Sequence, residues 1–234
     1  MTVAGLVSAK HSPGVTTAAI ALALATGDGS VAIEADAAGG DLAARARLPI
    51  DPGLLTVAAA GRHSGSRLTL HTQPLPSGVD VVIAPTDPNQ ASVALSTVGD
   101  RLAAATREHG AGFIDCGRWS PVTARAILAN CDVVIVVTEP SVAGIEHVRS
   151  RADALVEIGP PVTVLLVGER PYAVDEVEEA LALPVLGALA ADHRGVASLY
   201  SGPPRLARKT PLCRSARPAL ERLAEVTDRS EVTA

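Results

Sequence analysis

The sequence predicts an α/β fold, a doubly wound and mostly parallel β-sheet with helices on both faces. Short runs rich in Val, Ile and Leu, typical of buried parallel strands, recur along the chain. Runs with apolar residues at helical spacing lie between most of them. The first strand-like run also leads through a glycine-containing loop directly into a helix. This alternation favours parallel strands joined by crossover helices.

The predicted strands are short, apolar and spread over most of the chain. They cover residues 3–7, 31–34, 68–71, 79–84, 112–115, 132–137, 162–167 and 184–189. Three helices are predicted to begin at residues 16–17, 42 and 53. Four further helices are predicted over residues 88–107, 141–158, 174–181 and 214–226. A polar loop at 61–66 is expected to be exposed.

Length and composition predict one domain with a core of small aliphatic side chains. The chain has 234 residues, of which 47% are hydrophobic and only 2% aromatic, so Ala, Val and Leu must fill the core. We expect the domain to span residues 1–226 and the polar segment 227–234 to be a disordered tail.

Charge and cysteine content narrow the functional class and the compartment. The net charge is −5 and no basic block stands out, so direct nucleic-acid binding has no electrostatic support. The three cysteines have neither paired nor metal-ligand spacing, which is typical of a reducing cytoplasm. No run approaches the roughly 20 apolar residues of a membrane span.

The loop after the first strand has the layout of a phosphate-binding loop. When the pattern G-x-x-x-x-G-K-[ST] is laid over residues 9–16, Gly14 and Thr16 match it. Ala9 replaces the first glycine, and Val15 stands where the phosphate-binding lysine belongs. Backbone N–H groups and the positive end of the helix dipole would still face an anion at this loop.

Polar residues follow several predicted strands, as expected where a doubly wound sheet binds its ligand. They include Lys10, Thr16, Asp36, Asp115 and Asp192. Because the carboxyl ends of parallel strands share one edge of the sheet, these residues are candidates for a single site.

In these motifs the chain resembles the ParA/MinD ATPases, P-loop proteins with a deviant Walker A sequence, over nearly its whole length. Their loop reads K-G-G-V-G-K-T-T, and residues 10–17 here read Lys-His-Ser-Pro-Gly-Val-Thr-Thr. Glu34-Ala35-Asp36 is similar to the family's D-x-D motif, and Phe113-Ile114-Asp115-Cys116-Gly117 is similar to its Walker B strand. The resemblance extends to members that position pili and secretion machines, the TadZ/CpaE-like type.

The resemblance implies roles for individual residues. Lys10 would reach across a homodimer to the partner's phosphates, and Asp36 would orient the attacking water, which makes these two the catalytic candidates. Mg²⁺ would be held at Thr16, Asp36 and Asp115. The residues implied in ATP binding are Lys10, Ser12, Gly14, Val15, Thr16, Thr17 and Asp192.

Three departures from the family pattern bear on activity. Val15 removes the loop lysine, whose charge-assisted bond is worth roughly 1.5–3 kcal/mol, or about tenfold to a hundredfold in affinity. His11 and Ser12 replace two glycines, which would strain the loop if those positions need positive φ, and Pro13 removes an N–H donor. Gly168 stands where the family has a base-reading Asn, so ATP and GTP are not distinguished.

Two functions therefore remain open at this point. The first is a nucleotide-dependent dimeric switch, at most a slow ATPase, that positions a chromosome, a septum, or a pilus or secretion apparatus. The second is a pseudo-ATPase scaffold with weak or no nucleotide binding, which acts through protein–protein contacts. Either would use a protein partner that the sequence does not identify.

The end of the chain bears on membrane attachment. The predicted last helix is short and carries Glu221 and Glu225, so packing onto the sheet is favoured over an autonomous membrane anchor. We expect a cytoplasmic protein, with any recruitment to the membrane or the cell pole depending on its partner.

Overall fold

The computed structural model describes residues 1–11, 13–61 and 67–233. Its strands are β1 Val3–Ser8, β2 Ser30–Glu34, β3 Gln73–Pro74, β4 Asp80–Val82, β5 Ala111–Arg118, β6 Val133–Thr138, β7 Val162–Val167 and β8 Val185–Leu189. Its helices are α1 Val15–Thr26, α2 Leu42–Ala46, α3 Leu54–Ala60, α4 Pro88–His109, α5 Ala124–Leu128, α6 Val142–Arg149, α7 Ala152–Val156, α8 Val174–Leu181, α9 His193–Ser201, α10 Pro204–Ala207 and α11 Pro211–Thr233.

The strands form one eight-stranded sheet in the order β3-β4-β2-β5-β1-β6-β7-β8. All neighbours are parallel except β3, which pairs antiparallel with β4 at the edge. β1 lies between β5 and β6. Strands β2 to β5 lie on one side of β1, and strands β6 to β8 lie on the other side. This arrangement confirms the predicted doubly wound sheet and makes the end of β1 its topological switch point.

Helices cover both faces of the sheet, and each face has its own apolar core. One core contains the buried side of α1 with residues of α9 and α11, and the other contains residues of α3, α4, α5, α6 and α8. Because both faces are covered, β1, β2 and β6 are buried along their whole length. This burial explains why their sequences are continuous apolar runs instead of alternating ones.

Helix α1 lies deep in the molecule, against the sheet and against α11. Seven consecutive residues, Ala18 to Leu24, are buried. The four alanines among them leave room for the helix to approach its neighbours closely on more than one side. The burial of α1 places its N-terminal residue Val15 and the preceding Gly14 beside the end of β1.

The strand predicted at 68–71 is wrong, because Leu68–Leu70 is a 3₁₀ turn. The N–H of His71 donates to the Leu68 carbonyl at 2.9 Å, which closes the turn. Leu68 is buried and Leu70 is 68% exposed, whereas a strand would direct both to the same face. Four residues are too few for the apolar period to distinguish a strand from a turn.

The helix predicted over 141–158 is interrupted between α6 and α7. The Ser150 hydroxyl donates to the His147 carbonyl at 3.1 Å, and a guanidinium N–H of Arg151 donates to the same carbonyl. Side-chain donors thus satisfy a carbonyl that a continuous helix would bond through its backbone, and the helix ends there.

Other differences concern segments where the sequence pattern was weak. The short helices α5, α9 and α10 and the edge strand β3 were not predicted. Helix α11 begins earlier than predicted and continues to Thr233, through the segment that was expected to be a tail. Adding residues to the end of a helix that is already packed costs little free energy. Most of the loop predicted at 61–66 lies outside the described residues.

Candidate functional site

A cavity of about 610 Å³ opens where β1, β2 and β5 end beside the first turn of α1. This is the edge predicted to hold the site. The predicted site residues that line it are Gly14, Val15, Thr16, Thr17, Asp36 and Asp115. Lys10 and Asp192 are not among its lining residues, and Ser12 lies outside the described residues.

A second cavity of about 600 Å³ lies between α6 and α8. Its acidic lining residues, Glu146, Glu176 and Glu179, are exposed to solvent. The cavity beside α1 instead combines buried carboxylates, a hydroxyl and a helix N-terminus, which makes it the candidate functional site.

The loop between β1 and α1 contains the left-handed backbone conformations expected of a phosphate-binding turn. Gly14 has φ +99° and precedes the helix, and its carbonyl accepts the Ala18 N–H at 2.8 Å. His11, which replaces a glycine of the family pattern, has φ +66°. A left-handed residue with a Cβ costs roughly 1–2 kcal/mol, so this loop is strained at His11, as the sequence predicted.

The hydroxyl of Thr16 and the carboxylate of Asp115 meet at the inner end of the cavity. Thr16 Oγ1 donates to Asp115 Oδ2 at 2.5 Å, and the Gly117 N–H donates to Asp115 Oδ1 at 2.8 Å. Asp115 is 2% exposed, and burial raises its pKa to about 6 despite these two hydrogen bonds. A bound cation would remove that cost of ionisation, so the pair is suited to a divalent metal.

Asp36 lies beside this pair in the segment that follows β2. Its Oδ1 accepts the Ala38 N–H at 2.8 Å, which holds the carboxyl group in a local turn. Burial raises the pKa of Asp36, and the Arg118 guanidinium partly offsets the rise. Gly117 makes room for Asp36, because a Cβ at residue 117 would lie 2.1 Å from the carboxyl carbon.

Glu34 has a structural role that sequence reasoning missed. It is 3% exposed, and its Oε1 accepts the N–H groups of Asp41 and Leu42 at 2.7 and 3.0 Å. Its Oε2 accepts the Ala84 N–H at 3.0 Å, so one side chain fixes the start of α2 and the segment after β4. Burial raises the pKa of Glu34 to about 7, although these three donors favour the charged form.

Among the predicted residues outside the cavity, Lys10 is exposed on the loop and its charge acts on His147 of α6. The His11 ring packs edge-on against His147 with ring centroids 5.8 Å apart. Asp192 precedes α9, and its Oδ2 accepts the Leu212 N–H at 3.5 Å, at the start of α11.

Two arginines that the sequence did not single out, Arg45 of α2 and Arg118 of β5, also line the cavity. Tyr200 of α9 lies beside Arg45, and its hydroxyl group is close to Thr17 and Arg45. The sequence could have pointed to Arg118, because this residue comes directly after the segment 113–117 that is similar to a Walker B strand. Arg45 lies in α2, outside the predicted motifs, and no sequence pattern pointed to it.

The acidic groups do not form a metal cage by themselves. No group of three or more His, Cys, Asp or Glu that could hold a metal ion occurs within residues 1–11, 13–61 and 67–233. Mg²⁺ in phosphate sites is bound through one or two protein groups together with the phosphates and water, so Thr16 and Asp115 fit that use. No helix in the described part of the chain is long and apolar enough to cross a membrane.

Comparison with known proteins identifies the fold. No family model and no curated protein sequence matches the chain. The cell division ATPase MinD of Pyrococcus furiosus superposes with a TM-score of 0.77 at 17% identity, covering 96% of this chain and 98% of that one. A ParA family ATPase of Chlorobium tepidum gives 0.72 at 20% identity, covering 94% and 98%.

A third solved structure is the septum site-determining protein MinD of Pyrococcus horikoshii, complexed with Mg-ADP. It gives a TM-score of 0.73 at 16% identity and covers 97% of this chain and 98% of that one. The likeness spans both chains almost completely, so the whole described chain corresponds to one unit of this architecture. The chain therefore has the ParA/MinD-like fold, as its motifs predicted.

Proposed function

We propose that this chain is a nucleotide-dependent dimeric switch of the ParA/MinD type with a degenerate phosphate-binding loop. The observation that carries the proposal is the 2.5 Å hydrogen bond between Thr16 and Asp115, at the inner end of a cavity that opens on the N-terminus of α1. In this proposal Thr16, Asp36 and Asp115 hold Mg²⁺, and the first turn of α1 receives the phosphates of ATP.

Three side chains with oxygen ligands support the proposed Mg²⁺ side of the site. Thr16 supplies a hydroxyl oxygen, Asp115 a buried carboxylate, and Asp36 a carboxylate held by the Ala38 N–H. When bound, Mg²⁺ would neutralise phosphate charge. The resemblance implies that Asp36 would orient the attacking water, and Asp36 lines the same cavity and is less buried than Asp115.

The phosphate side is weaker than in a standard loop. Val15, in the lysine position, is 6% exposed and belongs to the core on the α1 face of the sheet. The unpaired N–H groups of the first helical turn remain as donors, but no lysine charge accompanies them. We therefore expect nucleotide binding weakened by about tenfold to a hundredfold and hydrolysis that is slow at best.

The position of Lys10 is consistent with a role in a homodimer. Its side chain is exposed and does not line the cavity of its own subunit. An exposed lysine that does not line its own cavity is available to a second copy. Nucleotide-dependent pairing through Lys10 would then couple binding and slow hydrolysis to assembly and release.

The cellular role we propose is positional. The solved structures of this fold include a cell division ATPase and a septum site-determining protein. By analogy, this chain would site a chromosome, a septum, or a pilus or secretion apparatus from the cytoplasm. It would do so through a protein partner, which would also account for any recruitment to the membrane or the pole.

A second candidate function, a pseudo-ATPase scaffold, is supported by the loop itself. Val15 is apolar and buried, and His11 occupies a left-handed conformation that glycine would adopt without strain. Both features lower the affinity for phosphate while leaving the sheet and its helices intact. In that case the chain would act through protein contacts alone.

Calorimetry with ATP, ADP and GTP in Mg²⁺ separates these functions. The native chain is compared with Val15→Lys and Asp115→Ala, and size-exclusion chromatography with light scattering reports dimerisation with and without nucleotide. The switch predicts measurable binding by the native chain, loss of binding in Asp115→Ala, and tighter binding by about tenfold or more in Val15→Lys.

The opposite pattern supports the scaffold. No binding by the native chain together with binding by Val15→Lys would mean that only the loop has lost its function. No binding by either protein would contradict the proposed nucleotide site altogether. The Val15→Thr variant, which keeps size without adding charge, is the matched control.

A further inference from the structure

The cavity contains two arginines from segments far apart in the sequence. Arg45 lies in α2, and Arg118 is the last residue of β5. They are the only Lys or Arg side chains that line this cavity among the described residues. Neither belongs to the phosphate-binding loop, so both are additional to the predicted motif.

Arg45 faces the first turn of α1. Its guanidinium pairs with Asp41 at 3.2 Å and lies close to the Tyr200 hydroxyl, which makes no hydrogen bond within the described residues. The Arg45 and Asp41 side chains are 49% and 70% exposed, and an exposed pair of this kind contributes little to stability. Arg45 can therefore leave Asp41 for a bound anion at small cost.

Arg118 lines the same cavity at the end of β5. It is exposed, and within the part of the chain that the structure describes its side chain makes no hydrogen bond or salt bridge. Its charge acts on Asp36, where it partly offsets the rise in pKa that burial causes. An unpaired guanidinium at the rim of a cavity has all its donors available.

The cavity is lined by more acidic than basic side chains. Four carboxyl groups, those of Glu34, Asp36, Asp41 and Asp115, line it. A polyphosphate adds further negative charge, and the loop offers no side-chain cation to receive it, because Val15 is apolar and Lys10 lies outside. Backbone N–H groups and one divalent ion alone would leave much of the added phosphate charge uncompensated.

We infer that Arg45 and Arg118 are the phosphate-binding cations of this chain, taking the place of the lysine that Val15 has displaced from the loop. The inference rests on the proposed function, since it assigns ligands to the same nucleotide site. Guanidinium groups bind phosphate oxygens through two parallel N–H donors, so two arginines that line one cavity can both bind a diphosphate there.

Calorimetry with Mg²⁺-pyrophosphate and with Mg²⁺-ATP tests this inference. Pyrophosphate presents phosphates without a base, so recognition of the base plays no part. The variants are Arg45→Gln, Arg118→Gln, their combination and Arg45→Lys. Arg47→Gln is the matched control, because Arg47 is an exposed arginine at the end of the same helix but does not line the cavity.

We expect each Gln variant to weaken both ligands by about tenfold and the double variant by about a hundredfold. Arg45→Lys should lose less than Arg45→Gln, and Arg47→Gln should bind within about twofold of the native chain. Circular dichroism and urea unfolding check that each variant folds.

Two outcomes would overturn the inference, and they differ. If the native chain binds ATP and the Arg45→Gln and Arg118→Gln variants bind it equally well, the arginines are not ligands, but the proposed function stands. If the native chain binds neither ATP nor pyrophosphate, the nucleotide site itself is refuted and the inference falls with it.

Discussion

The hydroxyl of Thr16 donates a 2.5 Å hydrogen bond to the buried carboxylate of Asp115, although the two residues lie 99 positions apart in the sequence. The contact joins the first turn of α1 to β5, and it exists because β1 and β5 are neighbours in the sheet. In the absence of a cation, this bond and the Gly117 N–H provide the hydrogen bonds to Asp115.

We expect Thr16→Val to destabilise the folded chain and to remove Mg²⁺-dependent nucleotide binding. The substitution keeps the shape of the side chain but leaves Asp115 with one donor fewer. A hydrogen bond to a charged group contributes about 1.5–3 kcal/mol, and that is the expected loss in the free energy of unfolding. Urea unfolding measures the stability change, and calorimetry with Mg²⁺-ATP measures the binding.

Thr16→Ser is the control for this prediction, because it retains the hydroxyl and loses only a methyl group. It should keep nucleotide binding within a few-fold of the native chain, roughly within 1 kcal/mol. Equal stability and equal Mg²⁺-ATP affinity of Thr16→Val and the native chain would show that the contact with Asp115 has no functional weight.

Gly117→Ala is expected to displace Asp36. A Cβ at residue 117 would lie 2.1 Å from the carboxyl group of Asp36, and the backbone there has φ +64°. The left-handed conformation costs roughly 1–2 kcal/mol for any residue with a Cβ, and the collision adds to that cost. Urea unfolding should therefore report a loss above about 2 kcal/mol in the free energy of unfolding.

Gly29→Ala separates the two contributions to this loss. Gly29 has φ +81°, and an added Cβ would meet nothing within 4 Å, so only the backbone cost applies. If both substitutions destabilise the chain equally, the close approach of Gly117 to Asp36 is not important for stability.

The stability of the native chain should fall as the pH rises from about 5 to about 7. Burial raises the pKa of Glu34 to about 7 from an ordinary value of 4.5, so the folded state binds its proton more tightly than the unfolded state does. The stabilising effect of protonation is therefore present at low pH and is lost as the pH rises towards 7. Each such group contributes at most about 1.4 kcal/mol per pH unit.

Unfolding by urea at several pH values from about 5 to about 8 measures this slope. Glu34→Gln removes the ionisable group, so its slope should be smaller than that of the native chain. The variant should also lose about 1–3 kcal/mol at low pH, because an amide cannot accept all three backbone N–H bonds that Glu34 accepts. Equal slopes in the two proteins would refute the assignment to Glu34.

The cysteines should resist thiol reagents as long as the chain is folded. Cys116, Cys131 and Cys213 are free and buried, and burial raises the pKa of all three thiols, that of Cys131 to about 12. The thiolate is the reactive form, so labelling by an aromatic disulfide reagent should be slow without denaturant. Complete labelling in urea is the control, and rapid labelling of the folded chain would contradict the prediction.

The sequence predicted the architecture well because the sheet is buried on both faces. Strands such as β6 and β7 are continuous apolar runs, a pattern that few other structures produce. It predicted less well where an element is short or lies at an edge. The segment 68–71 forms a turn, and α6 ends where the side chains of Ser150 and Arg151 donate to one backbone carbonyl.

The structure places some of the predicted site residues in the cavity and others outside it. Thr16, Asp36 and Asp115 line one cavity because each follows or adjoins a strand of the central sheet. Lys10 and Asp192 do not line it, and their roles remain predictions. Their contribution depends on a second copy of the chain or on a bound nucleotide.

The sequence by itself determined the alternation of the central strands with the longer helices and the loop that opens α1, because hydrophobic period and glycine position are local properties. Only the tertiary structure decided that Glu34 serves as a buried anchor for backbone N–H groups and that Arg45 and Arg118 face the same cavity. Those relationships join residues far apart in the chain, and they arise from strand order and helix packing, which no local pattern encodes.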